Sequence, residues 1–97
     1  GQLRVSLRDI RYAEPSGRHT CLHLTEGQEI VRLPLSRLAE HLPESQFIYC
    51  HRTVLVNLAF VHRLRQRDLE LTSGEILPVS RYRFAQVRQA LLNLLDA

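Results

Sequence analysis

Alternation of apolar and polar residues dominates the first third of the chain. It runs over residues 3–13 and again over residues 19–24, which predicts β-strands with one buried face. Residues 14–17, EPSG, are typical of a turn, because proline fixes φ and glycine allows positive φ. Residues 26–27 predict a tight reversal into another strand over residues 29–33. The first third is therefore expected to contain one or two strands followed by a β-hairpin.

Helical periodicity appears in two places. A short mid-chain helix is predicted between Pro34 and Pro43, because the apolar residues between them fall at i, i+3, i+4 and i+7. A C-terminal helix is predicted after Ser80, which is a suitable N-cap. The apolar stripe of this second helix consists of Phe84, Val87, Leu91, Leu94 and Leu95.

The segment between the two helices favours strands. They are predicted at residues 46–50, 59–64, 68–72 and 75–79, with a two-residue turn at residues 73–74. Residues 52–58 fit either a tight turn or a single helical turn. The pattern thus predicts a mostly β single domain over residues 1–97, with residues 1–8 as a linker or a first strand.

Length, composition and charge narrow the class of protein. A chain of 97 residues with 44% hydrophobic residues suits one compact domain with a modest core. It carries no apolar run of membrane-spanning length and no signal-peptide pattern, and its two cysteines suggest no disulfide framework, which fits a cytoplasmic protein. Because the chain begins with Gly1 in place of an initiator methionine, we expect it to be a segment of a longer protein.

The distribution of charge says more than the net charge of +3. Residues 1–47 hold six arginines and six acidic residues, whereas residues 48–97 hold seven arginines and four acidic residues. Every residue counted as Lys+Arg is an arginine, the side chain best suited to bidentate contacts with phosphate and guanine. The excess positive charge therefore lies in the second half, although a soluble surface alone would also explain so mild an excess.

Two segments of that half carry a longer pattern. Residues 47–62 read FIYCHRTVLVNLAFVH, and residues 76–84 read ILPVSRYRF. Together they resemble the LytTR family, the DNA-binding domain of LytR/AlgR-type bacterial transcription regulators. The resemblance implies an elongated arrangement of small β-sheets in place of a helix-turn-helix. It also implies loops that enter successive major grooves of DNA.

The resemblance assigns DNA contacts to three short segments. Arg52 follows the motif histidine, and in the family this position lies in a loop that contacts base edges in the major groove. Arg18 and His19 occupy a first-half loop where the family places a base-contacting residue. For all three, a solvated loop side chain is the alternative interpretation.

The third segment begins at Ser80. If Ser80 caps the C-terminal helix, Arg81 lies in its first turn, where the helix dipole favours an anion over a positive side chain. A polyanion such as DNA would explain Arg81 there, with Arg83 as a second charge, although a surface arginine is the alternative. The hydroxyl groups of Thr53, Ser80 and Tyr82 are suited to phosphate contacts.

His51 and Asn57 lie among apolar neighbours. We expect both to hold the turn by bonding backbone groups, with a phosphate contact as the alternative for His51. The DNA-contacting residues predicted in these three segments are Arg18, His19, His51, Arg52, Thr53, Ser80, Arg81, Tyr82 and Arg83.

The sequence leaves two other classes of function open. A zinc site built from Cys21, His23, Cys50 and His51 is disfavoured, because adjacent strand residues point to opposite faces. A Cys21–Cys50 disulfide or redox switch would require an oxidising compartment. A module of the same fold that binds protein and not DNA is the other alternative. We expect no enzymatic activity and no cofactor, since the chain has no recognisable catalytic or phosphate-cradling motif.

The interpretation that follows is a sequence-specific binding domain for double-stranded promoter DNA. The resemblance implies that it is the output domain of a regulator with an upstream receiver or sensor domain. Repeated half-sites and dimerisation on DNA are typical of such regulators.

Overall fold

The computed structural model describes residues 5–96, which form eight strands and two α-helices. The strands are β1 (Ile10–Ser16), β2 (His19–Leu24), β3 (Gln28–Val31), β4 (Phe47–His51), β5 (Val54–Asn57), β6 (Val61–Leu64), β7 (Asp68–Leu71) and β8 (Ile76–Pro78). The helices are α1 (Leu35–Ala39) and α2 (Phe84–Leu95). Short 3-10 turns cover Leu7–Asp9, Leu58–Phe60 and Arg81–Arg83. The predicted mostly β fold with a short mid-chain helix and a C-terminal helix is confirmed.

The strands form two antiparallel sheets. Sheet A has the order β3-β2-β1-β5-β4, and sheet B has the order β6-β7-β8. The molecule measures 38 × 25 × 25 Å along its principal axes, so it is moderately elongated, as the family resemblance implies. Within residues 5–96, no helix is long and apolar enough to span a membrane.

The start of the chain differs from the prediction. Residues 1–4 lie outside the described part, so the prediction for them stays open. Leu7–Asp9 forms a 3-10 turn, and the first described strand begins only at Ile10. The predicted turn over residues 14–17 is also displaced, because β1 continues to Ser16 and the chain reverses at Gly17, which has a φ of 61°.

The segment that the periodicity left open is β5. The chain reverses at residues 52–53, and Val54–Asn57 then forms a strand between β1 and β4. All four residues of β5 are buried, because this central strand is covered on both faces. A strand buried on both faces has no polar alternation, which explains why its sequence did not indicate a strand.

Two hydrophobic cores lie on opposite faces of sheet A. One core packs Leu35 and Leu38 of α1, together with Leu42 after the helix, against residues of the sheet such as Leu22 and Leu55. The other core joins sheet A to sheet B and α2; its buried members are Tyr12, Cys50, Val54, Val56, Leu69, Leu71, Leu77, Val79 and Val87. Neighbouring side chains of β5 contribute to both cores, so this strand is covered on both faces.

The C-terminal helix packs through only part of its predicted stripe. Val87 is fully buried, and Phe84, Leu91 and Leu94 are half-buried. Leu95 is 81% exposed, so its placement in the buried stripe is wrong. The helix therefore rests on the domain through its first two turns and leaves its last turn largely in solvent.

Candidate nucleic-acid interface

Two hairpin turns lie at the same end of sheet A. Gly17 and Arg18 connect β1 to β2, and Arg52 and Thr53 connect β4 to β5. Because β5 is antiparallel to β1, the chain enters β5 at the end of the sheet where β1 finishes. We call this end of sheet A, with its two turns, the hairpin end. It brings together two segments that the sequence separates by more than thirty residues.

The first hairpin extends further from the sheet than the second. Ala13 is paired with Leu55, so residue 14 lies level with the start of β5, yet β1 continues to Ser16 before it turns. At about 3.3 Å per residue, the tip at Arg18 projects roughly 7–10 Å beyond the tip at Arg52. Arg18, His19, Arg52 and Thr53 are all exposed.

His51 holds the second hairpin turn in shape. Its Nδ1 lies 3.0 Å from Thr53 Oγ1 and accepts the backbone N–H of Thr53 at 3.3 Å. When Nδ1 is the acceptor, the neutral ring carries its proton on Nε2. The predicted structural role of His51 is confirmed by these bonds, and a phosphate contact through Nε2 stays a prediction.

Asn57 is fully buried at the other end of β5. Its Nδ2 donates to the carbonyl oxygen of Ile10 at 2.8 Å, and its Oδ1 accepts the backbone N–H of Ala59 at 3.0 Å. Its predicted role in bonding backbone groups is confirmed. The prediction that Asn57 holds the turn before β5 is wrong, because these bonds lie at the opposite end of the strand. They fix the end of β5 and the 3-10 turn that follows it.

A third segment is attached to the outer edge of β4. The backbone N–H of Ser80 donates to the carbonyl oxygen of Cys50 at 2.8 Å, which places residues 80–83 beside the Arg52 turn. The expectation that Ser80 caps the C-terminal helix is wrong. Its side chain makes no capping bond, and Arg81–Arg83 form a separate 3-10 turn before α2 begins at Phe84.

The helix-dipole argument for Arg81 therefore does not hold, because Arg81 precedes the first turn of α2. What supports Arg81 is its position: it is exposed, and it belongs to a segment fixed beside the second hairpin. Tyr82 is 72% exposed in the same turn. The side chains of Ser80 and Arg83 are half-buried.

Arg83 packs against two aromatic rings. Its guanidinium carbon lies 4.9 Å from the ring centre of Tyr82 and 5.6 Å from that of Tyr49. Such cation–π contacts hold a guanidinium in place while it keeps its charge. Burial raises the pKa of the Tyr49 hydroxyl, and the charge of Arg83 opposes that rise. Arg83 lies only partly at the surface, since its Nε is buried and has no hydrogen-bond partner among the described residues.

The structure adds a fourth segment that the sequence did not indicate. Val79 donates its backbone N–H to the carbonyl oxygen of Arg67 at 2.9 Å, so the turn from β6 to β7 lies beside residues 79–80. Gln66, Arg67, Arg81 and Phe84 line a cleft of about 290 Å³ between this turn and the start of α2. The sequence feature that could have indicated this segment is RLRQR at residues 63–67. It places an arginine at every second position in the approach to a predicted turn.

The four segments concentrate positive charge. Residues 17–19, 51–53, 65–67 and 80–83 contain six of the 13 arginines and none of the ten acidic residues. Arg65 is the one of the six that is neutralised, by Asp68 at 2.9 Å and Glu70 at 3.5 Å. Within the described part of the chain, Arg18, Arg52, Arg67, Arg81 and Arg83 form no ion pair.

The two cysteines are unpaired and buried. Burial raises the pKa of the Cys50 thiol to about 12, which leaves little of the reactive thiolate at neutral pH. Cys21 also has a raised pKa, mainly through burial and then through the nearby charge of Glu14. Residues 5–96 contain no group of three or more His, Cys, Asp or Glu side chains that could hold a metal ion.

Comparison with known proteins identifies the family. The family model of the LytTr DNA-binding domain matches residues 1–92. In the solved structures, the LytTr DNA-binding domain of a methyl-accepting/DNA response regulator from Bacillus cereus is 25% identical, with a TM-score of 0.79 over 90% of this chain and 84% of that one. The chain belongs to the LytTR family of DNA-binding domains.

Two curated relatives are transcriptional regulators. The CO-responsive transcriptional regulator RcoM of Rhodospirillum rubrum is 27% identical over 93 residues, which cover 90% of this chain and 39% of that protein. The transcriptional regulatory protein YpdB of Escherichia coli K12 is 27% identical over 97 residues, or 88% of this chain and 37% of its own length. The chain therefore spans well under half the length of these relatives. The family is one of DNA-binding regulatory domains and not of enzymes.

Proposed function

We propose that the hairpin end binds double-stranded promoter DNA sequence-specifically and that Arg52 and Arg81 contact base edges in the major groove. The observation that carries this proposal is the convergence of three separate segments, each with an unpaired arginine, on one end of a rigid sheet. The side chains lie on turns tied to strands by backbone hydrogen bonds, so their spacing is fixed before DNA binds.

The exposed side chains divide into two expected roles. An arginine placed in the major groove donates two hydrogen bonds to O6 and N7 of guanine, which distinguishes guanine from the other bases. Arg52 and Arg81 take this role, and Arg18 and His19 contact bases from the longer hairpin. Thr53, Ser80, Tyr82 and Arg83 are assigned to phosphates, with Nε2 of His51 as a further donor, because hydroxyl groups and a fixed guanidinium position the backbone without selecting sequence.

The test begins with duplexes selected from random DNA by the purified domain. Arg52→Ala or Arg81→Ala should cost about 1–3 kcal/mol on the selected duplex and much less on unrelated duplex, because only base contacts are lost. Arg83→Ala should weaken both duplexes alike and make the slope of log K against log salt shallower by about 0.9. Binding is measured across a salt titration, with thermal melts to confirm that each variant is folded.

Arg37→Ala is the matched control, because Arg37 is exposed on α1 and pairs only with Glu40. It should change neither affinity nor salt slope. If Arg52→Ala and Arg81→Ala bind the selected duplex as tightly as the parent, the bases are contacted elsewhere. Binding that does not respond to salt, or no binding to any duplex, would contradict the whole proposal and favour a protein-binding module.

We further propose that the domain acts in the cytoplasm as the output part of a longer regulator with a receiver or sensor domain upstream. The greater length of the relatives supports this arrangement. Dimerisation on repeated half-sites is the corresponding proposal for assembly. Sedimentation of the domain with duplexes that hold one or two half-sites tests it, since two bound copies are expected only on the longer duplex.

A further inference from the structure

We infer that the turn from β6 to β7 is a fourth DNA-contacting segment, in which Arg67 binds a backbone phosphate at one end of the footprint. This inference rests on the proposed function. None of the motif residues supplies this contact. Arg67 would increase affinity through its charge and would not select the DNA sequence.

The topology places this turn in line with the other three segments. Asp68 pairs with Pro78, and the bond between Val79 and Arg67 extends the same ladder by one step towards the hairpin end. Ser80 then connects to Cys50 at the edge of sheet A. The order across the molecule is therefore Arg18, Arg52, the segment 80–83 and Arg67.

The distance spanned by these four segments indicates which part of the DNA each segment contacts. With neighbouring strands about 4.8 Å apart, the row from the first hairpin to Arg67 spans roughly 20 Å. The major groove of B-DNA is about 12 Å wide, so a row of this length extends past the groove and over the flanking phosphates. The first hairpin projects further and can follow the groove, whereas the Arg67 turn has no such projection.

The charges of the cleft point to an anion. Arg67 and Arg81 are both exposed, line the same cleft and form no ion pair among the described residues. Two guanidinium groups that share a cleft repel each other unless an anion lies between or beside them. Gln66 adds an amide donor at the same place. A backbone phosphate beside Arg67, at the edge of the groove that Arg81 enters, would offset this repulsion.

Arg65 provides a matched control two residues away. It is similarly exposed, but it is already bonded to Asp68 and Glu70. Arg67→Ala should weaken binding roughly tenfold at low salt, equally on selected and unrelated duplexes, as expected for a charge-assisted hydrogen bond. It should also make the salt slope shallower by about 0.9. Arg65→Ala should leave both quantities close to those of the parent.

The position of the contact is tested with duplexes that carry a single uncharged methylphosphonate. If Arg67 binds one phosphate, neutralising that phosphate and Arg67→Ala should each weaken binding, and their combination should weaken it no further. The sensitive phosphate should lie at the end of the footprint, next to the base pair whose selection Arg81→Ala relaxes. It should lie on the side away from the position affected by Arg18→Ala.

Each outcome bears on a different claim. If the parent binds the selected duplex but Arg67→Ala leaves the affinity and the salt slope unchanged, this inference is overturned and the proposed function stands. Equal losses from Arg65→Ala and Arg67→Ala would also overturn it, because they would indicate only the total charge. If the parent binds no duplex, both proposals fail together. Both arginines are exposed, so melting temperatures close to that of the parent are expected throughout.

Discussion

Replacement of Asn57 by alanine is expected to destabilise the whole domain, although Asn57 makes no contact with the hairpin end. Asn57 is fully buried, and its side-chain amide joins the start of β1, the end of β5 and the turn after β5. Longer contacts reach Leu7 at 3.5 Å and Gln46 at 3.3 Å. One side chain therefore adds hydrogen bonds between β1 and the end of β5, beyond the pairing of these two strands, and also holds the turn that follows β5.

The magnitude follows from the two short hydrogen bonds. Each contributes about 1 kcal/mol net, and loss of the amide also leaves the buried carbonyl of Ile10 and the partly buried N–H of Ala59 without this partner. We expect Asn57→Ala to lower the free energy of unfolding by about 2–4 kcal/mol. For a domain of this size, that corresponds to a melting temperature lower by roughly 10–30 °C.

Urea unfolding followed by far-ultraviolet circular dichroism measures the change, since the chain has no tryptophan for fluorescence. Asn93→Ala is the control, because Asn93 is exposed on α2 and bonds only to Gln89, so a change within about 0.5 kcal/mol is expected. Asn57→Asp separates hydrogen bonding from packing. The introduced carboxylate would face carbonyl oxygens at neutral pH, whereas its protonated form can donate to them, so its stability deficit should shrink as the pH falls. A free energy for Asn57→Ala within 0.5 kcal/mol of the parent would refute the reasoning.

Two further predictions concern the second core. Leu91→Ala should cost about 1–3 kcal/mol, less than the 2–5 expected of a fully buried leucine, because Leu91 is half-buried; Leu95→Ala, at an 81% exposed site, should leave the melting temperature unchanged. A larger loss at Leu95 than at Leu91 would show that the end of α2 is covered. Cys50→Ser should still bind the selected duplex, because the thiol is buried in the core and makes no contact at the surface. Since burial raises the pKa of Cys50 from 9.0 to about 12, its contribution to stability is complete below pH 9 and is lost as the pH rises to 12, so Cys50→Ser should unfold with a weaker alkaline dependence.

The sequence predicted most elements because their polar and apolar positions record which face is buried. Both helices and the strands of sheet B have one covered face, and periodicity identified each of them. It did not resolve β5, whose residues Val54–Asn57 are buried on both sides. A strand at the centre of two cores has no exposed face to alternate with, so its conformation is decided by its neighbours.

The candidate site was predictable where it coincides with a motif and not where it depends on the packing of distant strands. Arg52 was identified by family resemblance, and Arg81 by the resemblance together with a helix-dipole argument that does not hold. The structure places both on exposed turns that are fixed side by side. The capping role of Ser80 failed because the local signal for an N-cap does not distinguish an α-helix from a 3-10 turn that precedes one. Arg67 was missed because only the pairing of β7 with β8 brings it beside Arg81.

Ion pairs within the domain decide which arginines are available to DNA. For DNA binding, these ion pairs matter more than the net charge of +3. Arg11 forms an ion pair with Glu75 that joins the two sheets, and Arg65 is held by two acids, so both serve the fold. The hairpin end and the two segments beside it hold four exposed arginines on turns that contain no acidic residue. They are Arg18, Arg52, Arg67 and Arg81. Each phosphate that is neutralised adds about 0.9 to the slope of log K against log salt. If all four arginines contacted phosphates, they would together contribute about 3.6 to that slope for one domain. Each arginine that contacts a base in place of a phosphate lowers that contribution, so specificity is obtained at the expense of salt-dependent affinity.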